Sequence, residues 1–250
     1  MSDFLVRLLG WKATVLHGDP MVWDRYRFLR RHLQAGPLRT LEAGCGSGAF
    51  TLYAAMLGNE SIGVSFDDAN NRKAARRAQL LCLNKASFLN LDLRELHLMA
   101  PSLGRFDQII CFETIEHILD DDKLIGDLSS MLVGGGRLIL TTPNKGLKPL
   151  IGDGLLSTIE DGGHVRLGYT FSEMRELFNA NGLDIVVEDC ISGYVSQKLT
   201  NTMRTLTGIN HKLGWTLTFP LRLLQYIDFP LTLMMRYPYY CIGVVGLKRK

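Results

Sequence analysis

A glycine-rich stretch at residues 41–50 has the residue types and the spacing of a ligand-binding turn. Gly44, Gly46 and Gly48 fall at alternate positions, after an apolar lead-in that ends in Glu42 and before a second apolar run. Glycine adopts positive φ and lets a ligand approach the backbone, and a following helix would direct its free N–H groups at that ligand. We therefore predict a strand, a tight turn and a helix, with Glu42 at the carboxyl end of the first strand, where open α/β sheets bind ligands.

A second group of residues has the chemistry to move a proton. Glu113, Glu116 and His117 fall close together, directly after the apolar run 106–112, which we interpret as a strand. Histidine is the usual base near neutral pH, and a hydroxyl or phenol that acts as a nucleophile must lose its proton to a base. The competing interpretation is structural: Glu116 and His117 would hydrogen-bond a neighbouring loop.

Alternating strand and helix patterns position these two groups, and they predict a parallel sheet with helices on both faces. After a first strand near residue 41, the predicted strands cover residues 61–64, 87–91, 106–112, 137–142, 183–187 and 240–247. After the helix at the glycine turn, the next predicted helix covers residues 68–84. Another follows the fourth strand and ends at Gly134-Gly135-Gly136, and a further one begins at a capping box formed by Thr170 and Glu173. Residues 144–168 are a predicted glycine-rich loop segment with a short helix around Leu155.

The chain divides into three parts. Residues 1–36 are a predicted helical cap, which either packs on the core alone or also covers the substrate opening. Residues 37–192 together with 239–250 are the core, and residues 193–238 are a helical insertion before the last strand. The insertion has apolar faces with Trp and Tyr, and basic residues edge them. We expect two short helices there, which form either a satellite core packed on the sheet, or a lid or interfacial membrane-binding element.

Composition and charge exclude several classes of protein. The chain has 250 residues, of which 46% are hydrophobic and 21% charged, so we expect one globular domain with appendages. The net charge of +3 is too weak to imply a nucleic-acid partner, and residues 194–250 carry eight Lys and Arg against one acid. Five scattered cysteines indicate reduced thiols, and the N-terminus lacks the apolar core of a signal peptide. We expect a cytoplasmic protein, and leave membrane association through the insertion and the oligomeric state open.

Four motifs, taken in order, resemble those of the class I S-adenosylmethionine-dependent methyltransferases over about residues 37–192 plus the last strand. They are Glu42-x-Gly44-x-Gly46-x-Gly48, Asp92 after the third strand, Phe106-Asp107 to Phe112 followed by Glu113, and Gly134-Gly135-Gly136 before the fifth strand. The resemblance implies an α/β fold: a doubly wound, Rossmann-like sheet of seven mostly parallel strands with an antiparallel last strand. It also implies S-adenosyl-L-methionine as the methyl donor.

The resemblance further implies which residues contact the donor, with one departure from the family pattern. Ser65 replaces the usual ribose-binding acid, which is similar to cyclopropane fatty-acid synthase-like methyltransferases. In those proteins an amide five residues later reaches the ribose, which implies Asn70 here, with Asp67 as the competing candidate. The resulting donor-binding set is Glu42, Gly44, Gly46, Gly48, Ser65, Phe66, Asn70, Asp92, Leu93 and Phe112.

The Glu-x-x-Glu-His string resembles that of the ubiquinone-biosynthesis O-methyltransferases. In those proteins a second histidine follows the fifth strand, and His164 lies in that region. The resemblance therefore implies His117 as the candidate general base, with Glu113 and His164 as further catalytic candidates. Small-RNA 2′-O-methyltransferases with a similar string hold a divalent ion, so Glu113, Glu116, His117 and His164 are also a candidate metal set. Whether a metal is used stays open.

The expected acceptor is a small or lipid-like molecule, methylated at oxygen by preference. The aromatic insertion, the basic tail and the quinone- and lipid-modifying relatives favour an apolar acceptor. One alternative is a nicotinamide-dependent reductase, because Gly44-x-Gly46-x-x-Ala49 fits the relaxed dinucleotide fingerprint. Ser65 and the lack of a further catalytic domain argue against it. The other alternative is a non-catalytic, methyltransferase-like binding protein.

Overall fold

The computed structural model describes residues 3–154 and 156–250, with the side chain of His211 left out. The strands are β1 (Arg39–Ala43), β2 (Glu60–Ser65), β3 (Ala86–Asn90), β4 (Phe106–Phe112), β5 (Leu132–Pro143), β6 (Leu183–Ile191) and β7 (Cys241–Lys248). The helices are α1 (Asp3–Leu9), α2 (Lys12–Leu16), α3 (Pro20–His32), α4 (Ala49–Met56), α5 (Asp68–Leu80), α6 (Leu96–Leu103), α7 (Asp121–Ser130), α8 (Phe171–Ala180), α9 (Tyr194–Ile209), α10 (His211–Thr218) and α11 (Asp228–Met234). Short 3₁₀ segments cover Leu93–Glu95, Ile115–His117 and Pro220–Ile227.

The strands form one sheet in the order β3-β2-β1-β4-β5-β7-β6. The first five strands are parallel, and β7 runs antiparallel to both β5 and β6. This arrangement confirms the predicted fold class. The strand order reverses between β1 and β4, and in open α/β sheets the crevice outside the carboxyl ends of such strands binds ligands. Both the glycine turn and the Glu113–His117 segment begin at that crevice.

Both faces of the sheet are buried, because successive strand residues point to opposite faces and both sets are apolar. In β4, Ile109 and Cys111 join a core formed with α6, α7 and α8, whereas Ile110 and Phe112 join a core formed with α2 to α5. All four residues are at most 6% exposed. The sheet is thus held between two helical layers, which fixes the strand ends that carry the site.

The prediction that Gly134-Gly135-Gly136 ends a helix was wrong. Helix α7 ends at Ser130, and the glycines lie in the first part of β5. There the register with β4 shifts, since Phe106 pairs with Leu132 while Gln108 pairs with Arg137. The apolar residues after Ser130 continue the helical spacing by chance and belong to the sheet. The short helix expected around Leu155 lies outside the described residues.

The N-terminal cap and the insertion pack on each other. Helix α9 contacts α3, and the Gln225 side chain donates hydrogen bonds to the Pro20 carbonyl and the Ser196 hydroxyl, each at 3.0 Å. The insertion holds α9, α10, the 220–227 segment and α11, so the expectation of two short helices was wrong. Among residues 3–154 and 156–250, no helix has both the length and the apolarity needed to cross a bilayer.

Candidate active site

The glycine turn after β1 brings bare backbone to the wall of a cavity. Gly44, Gly46 and Gly48 have φ angles of +80°, +48° and +78°, in the region that favours glycine. A Cβ on Gly44 would collide with the Thr114 side chain, whereas nothing lies within 4 Å of the Cβ position of Gly46. The first glycine therefore lets the segment after β4 approach, and the second leaves the backbone open to the cavity.

This first cavity has a volume of about 410 Å³, which is within the range of cofactor sites. We call it the donor cavity, and it lies at the carboxyl ends of β1, β2 and β4. Seven predicted donor-binding residues line it: Gly44, Gly46, Ser65, Phe66, Asn70, Asp92 and Leu93. The remaining three, Glu42, Gly48 and Phe112, are not in its lining.

Glu42 is bound to helix α4 and does not face the donor cavity. Its carboxylate accepts hydrogen bonds from the Thr51 backbone N–H at 2.6 Å and from the Thr51 hydroxyl, and the residue is 3% exposed. Burial raises the pKa of Glu42 to about 8, because the charged carboxylate loses its hydration. Glu42 is therefore mostly protonated at neutral pH, and it joins β1 to α4.

Gly48 and Phe112 support the turn from behind by packing. A Cβ on Gly48 would lie 2.7 Å from Cε1 of Phe88, so only glycine lets the start of α4 approach β3 this closely. Phe112 packs edge to face on Phe50, with ring centroids 5.1 Å apart. Their role in this structure is to hold the turn in position.

The predicted ribose side of the donor cavity contains both competing candidates. Asp67 caps α5 by accepting hydrogen bonds from the Ala69 and Asn70 backbone N–H groups, and the Asn70 side-chain amide donates to its carboxylate at 2.7 Å. The Ser65 hydroxyl accepts from the Asp67 N–H at 3.1 Å. Since Asp67, Asn70 and Ser65 all line the cavity, they form one hydrogen-bonded rim suited to a diol.

Three ion-paired residues, Asp92, Arg94 and Glu160, lie in the wall of the donor cavity. Arg94 hydrogen-bonds the Asp92 carboxylate through Nε at 2.9 Å and pairs with Glu160 at 3.1 Å. Hydrogen bonds from Arg94 lower the pKa of Asp92, so this carboxylate stays charged at neutral pH. Glu160 in turn accepts a hydrogen bond from the Leu119 N–H at 2.6 Å. The loop that carries Glu160 is thereby held against the cavity.

A second cavity, of about 800 Å³, adjoins the first. We call it the acceptor cavity, after the methyl acceptor that the sequence analysis expects. Its wall comes from α3, from the 147–167 loop and from the carboxyl-terminal half of α9. Glu113, His117 and Gly162 line both cavities. The predicted catalytic residues Glu113 and His117 therefore stand at the junction, and His164 lines the second cavity.

The two carboxylates after β4 have different surroundings. Glu113 has φ of +46°, a costly backbone conformation for a residue with a Cβ, and its carboxylate accepts from the Thr141 hydroxyl at 2.9 Å and the Cys241 thiol at 3.4 Å. Glu116 is 0% exposed, and its Oε2 accepts from the Thr142 hydroxyl at 3.3 Å. Burial raises the pKa of Glu116 well above its ordinary range, and the nearby Glu113 charge raises it further.

The two histidines lie together, and hydrogen bonding fixes the tautomer of one of them. His117 Nδ1 lies 3.0 Å from the Gly163 carbonyl oxygen. A carbonyl only accepts, so Nδ1 carries the hydrogen and Nε2 keeps its lone pair when the ring is neutral. The His164 ring packs edge to face on the His117 ring at 4.6 Å. Burial and the neighbouring His117 lower the pKa of His164, so His164 is neutral at pH 7.

Three of the four residues in the candidate metal set converge. The ligand atoms of Glu116, His117 and His164 all lie within 4.8 Å of one another, and His117 Nε2 is 4.0 Å from Glu116 Oε1. That Oε1 is buried and has no hydrogen-bond partner among the described residues. One carboxylate and two imidazoles suit a borderline divalent ion, so the residues fit such an ion. Glu113 is not part of this group, because its carboxylate bonds Thr141 and Cys241.

The chain matches the family model described as "Methyltransferase domain" over residues 16–188, which is more than half of its length, and so belongs to the methyltransferase domain family. The family, the sheet topology and the turn together define a class I S-adenosylmethionine-dependent methyltransferase. S-adenosylmethionine is accordingly its methyl donor.

Individual known proteins resemble the chain more distantly. It is 25% identical over 124 residues to a ubiquinone biosynthesis O-methyltransferase of Coxiella burnetii. The aligned stretch covers 50% of this chain and 51% of that protein. The match thus spans about half the length of that relative. The N-methyltransferase NodS of Bradyrhizobium japonicum, solved with S-adenosyl-L-homocysteine, is 16% identical, has a TM-score of 0.59 and covers 94% of this chain and 91% of its own. The [4+2]-cyclase SpnF is 18% identical, with a TM-score of 0.61 and coverage of 90% and 81%. These two structures share the fold alone.

Sequence reasoning missed several residues of both cavities. Arg94, Glu160, Asp161 and Gly162 line the donor cavity, and the last three come from the 144–168 loop, which has no helical or strand periodicity to place it. Arg25 lines the acceptor cavity from α3, in the predicted cap, where the sequence does not single it out. The one available signal for Arg94 was its position two residues after Asp92.

Proposed function

We propose that this protein transfers the methyl group of S-adenosylmethionine to an oxygen atom of a small or lipid-like acceptor, with His117 as the general base. The observation that carries this proposal is the position of His117, which lines both the donor and the acceptor cavity. Methyl transfer from a sulfonium is an in-line displacement, so aligning donor and nucleophile supplies most of the catalysis. The junction is the place where that alignment would occur.

The donor cavity offers each part of the donor a matching group. Gly46 presents open backbone, the Ser65–Asp67–Asn70 rim offers hydrogen bonds to a ribose, and Asp92 offers a charged carboxylate to the adenine amino group. Bound S-adenosylmethionine supplies an electrophilic methyl group. Family membership favours this donor over the nicotinamide cofactor of the alternative reductase.

The wall of the acceptor cavity supports an apolar acceptor that carries a polar group. Apolar side chains of the 147–167 loop line it: Leu147, Pro149, Ile151, Leu156 and Leu167. Arg25 and Arg204 are the cationic residues of the lining, and Arg204 is already paired with Asp153 at 2.8 Å. The similarity to a ubiquinone-biosynthesis O-methyltransferase favours the same class of acceptor, a ring or chain with a hydroxyl.

His117 is the proposed proton acceptor for that hydroxyl. His117 Nε2 holds a lone pair, because Nδ1 donates to the Gly163 carbonyl. A neutral imidazole with an accessible Nε2 acts as a base near pH 7. His164 stays neutral beside it, so the proton that His117 takes is not opposed by a second charged ring.

A second role for the same residues is favoured by one specific observation. The unpartnered, buried Oε1 of Glu116 faces His117, and a divalent ion would satisfy it together with His117 and His164. A divalent ion would lower the pKa of an acceptor hydroxyl bound beside it. In that case Glu116 would hold the ion as a carboxylate, and His117 would be a ligand instead of a base.

Incubation of the purified protein with an extract and isotopically labelled donor, followed by mass spectrometry, tests the proposal. We expect one labelled product with the wild-type protein and with His97→Ala, a control at an exposed histidine away from both cavities. We expect no such product with His117→Ala, although calorimetry should still detect S-adenosylhomocysteine binding. An equal yield from His117→Ala would contradict the base role, and a product labelled at nitrogen or carbon would contradict the choice of oxygen.

A further inference from the structure

The segment 220–235 has an inverted pattern of burial. Its polar residues Arg222, Gln225, Asp228 and Thr232 point inward and are at most 6% exposed. The apolar residues between them point outward, and Leu223, Phe229 and Met234 are 72%, 62% and 74% exposed. We call the outward set the docking face, and its members are Leu221, Leu223, Leu224, Tyr226, Ile227, Phe229, Leu233, Met234 and Met235.

The inward polar residues hold this orientation in place. Asp228 accepts hydrogen bonds from the Gly193 and Val195 N–H groups at 2.9 and 2.7 Å, and Thr232 donates to its carboxylate at 3.0 Å. Arg222 donates to the Gly18 carbonyl. These contacts would be lost if the segment rotated to bury its apolar side. The exposed apolar surface is therefore a stable feature of the fold, and a contiguous surface of this kind marks an interaction site.

The charges around the docking face point to an anionic partner. Between residues 205 and 236 the sole acid is Asp228, and it is buried. Arg27, Arg30 and Arg31 line a cavity that Phe229 also lines, together with Asp24, Asp189 and Asp228. Asp24 and Asp228 are buried, and Asp189 is paired with Arg31 at 2.5 Å. The Arg27 guanidinium lies 5.6 Å from the centre of the Tyr226 ring. Cations thus border an apolar face that exposes no carboxylate.

We propose that the docking face inserts into the surface of a bilayer that contains anionic lipids, with Arg27 and Arg30 against the lipid phosphates. An element with one apolar side and a basic border lies in the plane of the membrane interface, and anionic lipids attract its basic residues. A second copy of this chain fits less well, because two such faces would bring their basic borders together.

The acceptor cavity lies close to this segment, because Arg222 donates to the Gly18 carbonyl and the next residue, Asp19, lines the cavity. This link between docking and methyl transfer rests on the proposed function. Thr207 and Gly208 of α9 line that cavity, and the next residue, Ile209, is 74% exposed. Ile151 and Leu156 of the lining are exposed as well. Exposed apolar side chains of α9 and of the 147–167 loop therefore flank the acceptor cavity, which suits a lipid-like acceptor.

Co-sedimentation of the full-length protein with vesicles tests the docking. We compare vesicles of phosphatidylcholine alone with vesicles of phosphatidylcholine and phosphatidylglycerol. We expect binding to the anionic vesicles and weaker binding, by about tenfold or more, to the neutral ones. The double variant Leu223→Asp/Phe229→Asp should lose binding to anionic vesicles by about tenfold or more, because two exposed apolar anchors are removed. Leu98→Asp, at an exposed apolar residue of α6, is the matched control and should bind like the wild type.

Three results would overturn the docking proposal. They are wild-type protein that binds neither vesicle, a double variant that binds as well as the wild type, and a concentration-dependent dimer that the double variant abolishes. Calorimetry with S-adenosylhomocysteine separates docking from catalysis, since the double variant should bind this molecule with unchanged affinity. A wild-type protein that binds vesicles but not S-adenosylhomocysteine would instead remove the proposed function and leave docking intact.

Discussion

Replacing Glu42 by Gln tests whether this residue is a buried structural carboxyl or a donor ligand. Its pKa is raised by burial from the ordinary 4.5 to about 8. The unfolded chain releases this proton near 4.5 and the folded protein only near 8, so between these values the unfolded state binds fewer protons. Stability therefore falls as the pH rises through this window. Each pKa unit corresponds to about 1.4 kcal/mol. The raised pKa of Glu42 therefore lowers the free energy of unfolding by about 3 kcal/mol at pH 7 and by about 5 kcal/mol above pH 8.

Gln keeps the shape and the oxygen that accepts from Thr51, but it does not ionise. The difference in unfolding free energy between Glu42→Gln and the wild type should therefore shift in favour of the variant by a few kcal/mol between pH 5 and pH 8.5. Urea unfolding at both pH values measures this shift, and comparison of the two proteins cancels other titrating groups. Affinity for S-adenosylhomocysteine should change by less than about threefold, since Glu42 is not in the cavity lining. A pH-independent difference, or a large loss of affinity, would refute the reasoning.

Three further predictions concern the rest of the site. Gly44→Ala should lower the free energy of unfolding by about 2 kcal/mol, because its Cβ collides with Thr114. The double variant Gly44→Ala/Thr114→Ala should recover part of this loss, as measured by chemical denaturation. Additive losses in the double variant would contradict the contact. The metal role predicts that added Mn²⁺ or Zn²⁺ raises the melting temperature of the wild type and of Glu113→Gln but not of Glu116→Gln. The base role of His117 predicts no shift in any of them. Arg94→Ala should speed S-adenosylhomocysteine dissociation in stopped-flow fluorescence by about tenfold, because the charge-assisted bonds that hold the Glu160 loop against the cavity are lost. An unchanged rate would show that the Asp92–Arg94–Glu160 string does not retain the ligand.

The sheet and the donor cavity were largely predictable from the sequence, because their signals are local. The glycine turn at Gly44 and Gly46 depends on backbone geometry that few other residues adopt, and the run 106–112 is apolar on both faces. The capping box at Thr170 and Glu173 is present as predicted. Ser65 and Asn70, inferred from resemblance, lie on one rim with Asp67 because Ser65 ends β2 and the other two follow directly.

The roles of individual side chains were less predictable, because they depend on contacts distant in the chain. Glu42 has the sequence position of a ligand residue, yet Thr51, nine residues later, binds its carboxylate. Gly134 to Gly136 follow an apolar pattern that continues past the true end of α7, and only pairing with β4 assigns them to β5. The docking face could not be distinguished from a small core by its pattern. Apolar residues at i, i+3 and i+4 lie on one side of a helix whether that side faces the core or the solvent. Its orientation is decided by the buried polar contacts of Asp228 and Gln225.

A crystal structure of the protein with bound S-adenosylhomocysteine tests the central claim most directly. The account predicts the nucleoside in the donor cavity, with its ribose at Asp67 and Asn70 and its sulfur directed toward His117 at the opening into the acceptor cavity. A molecule bound elsewhere, or a sulfur separated from His117 by the Asp92–Arg94–Glu160 string, would contradict it.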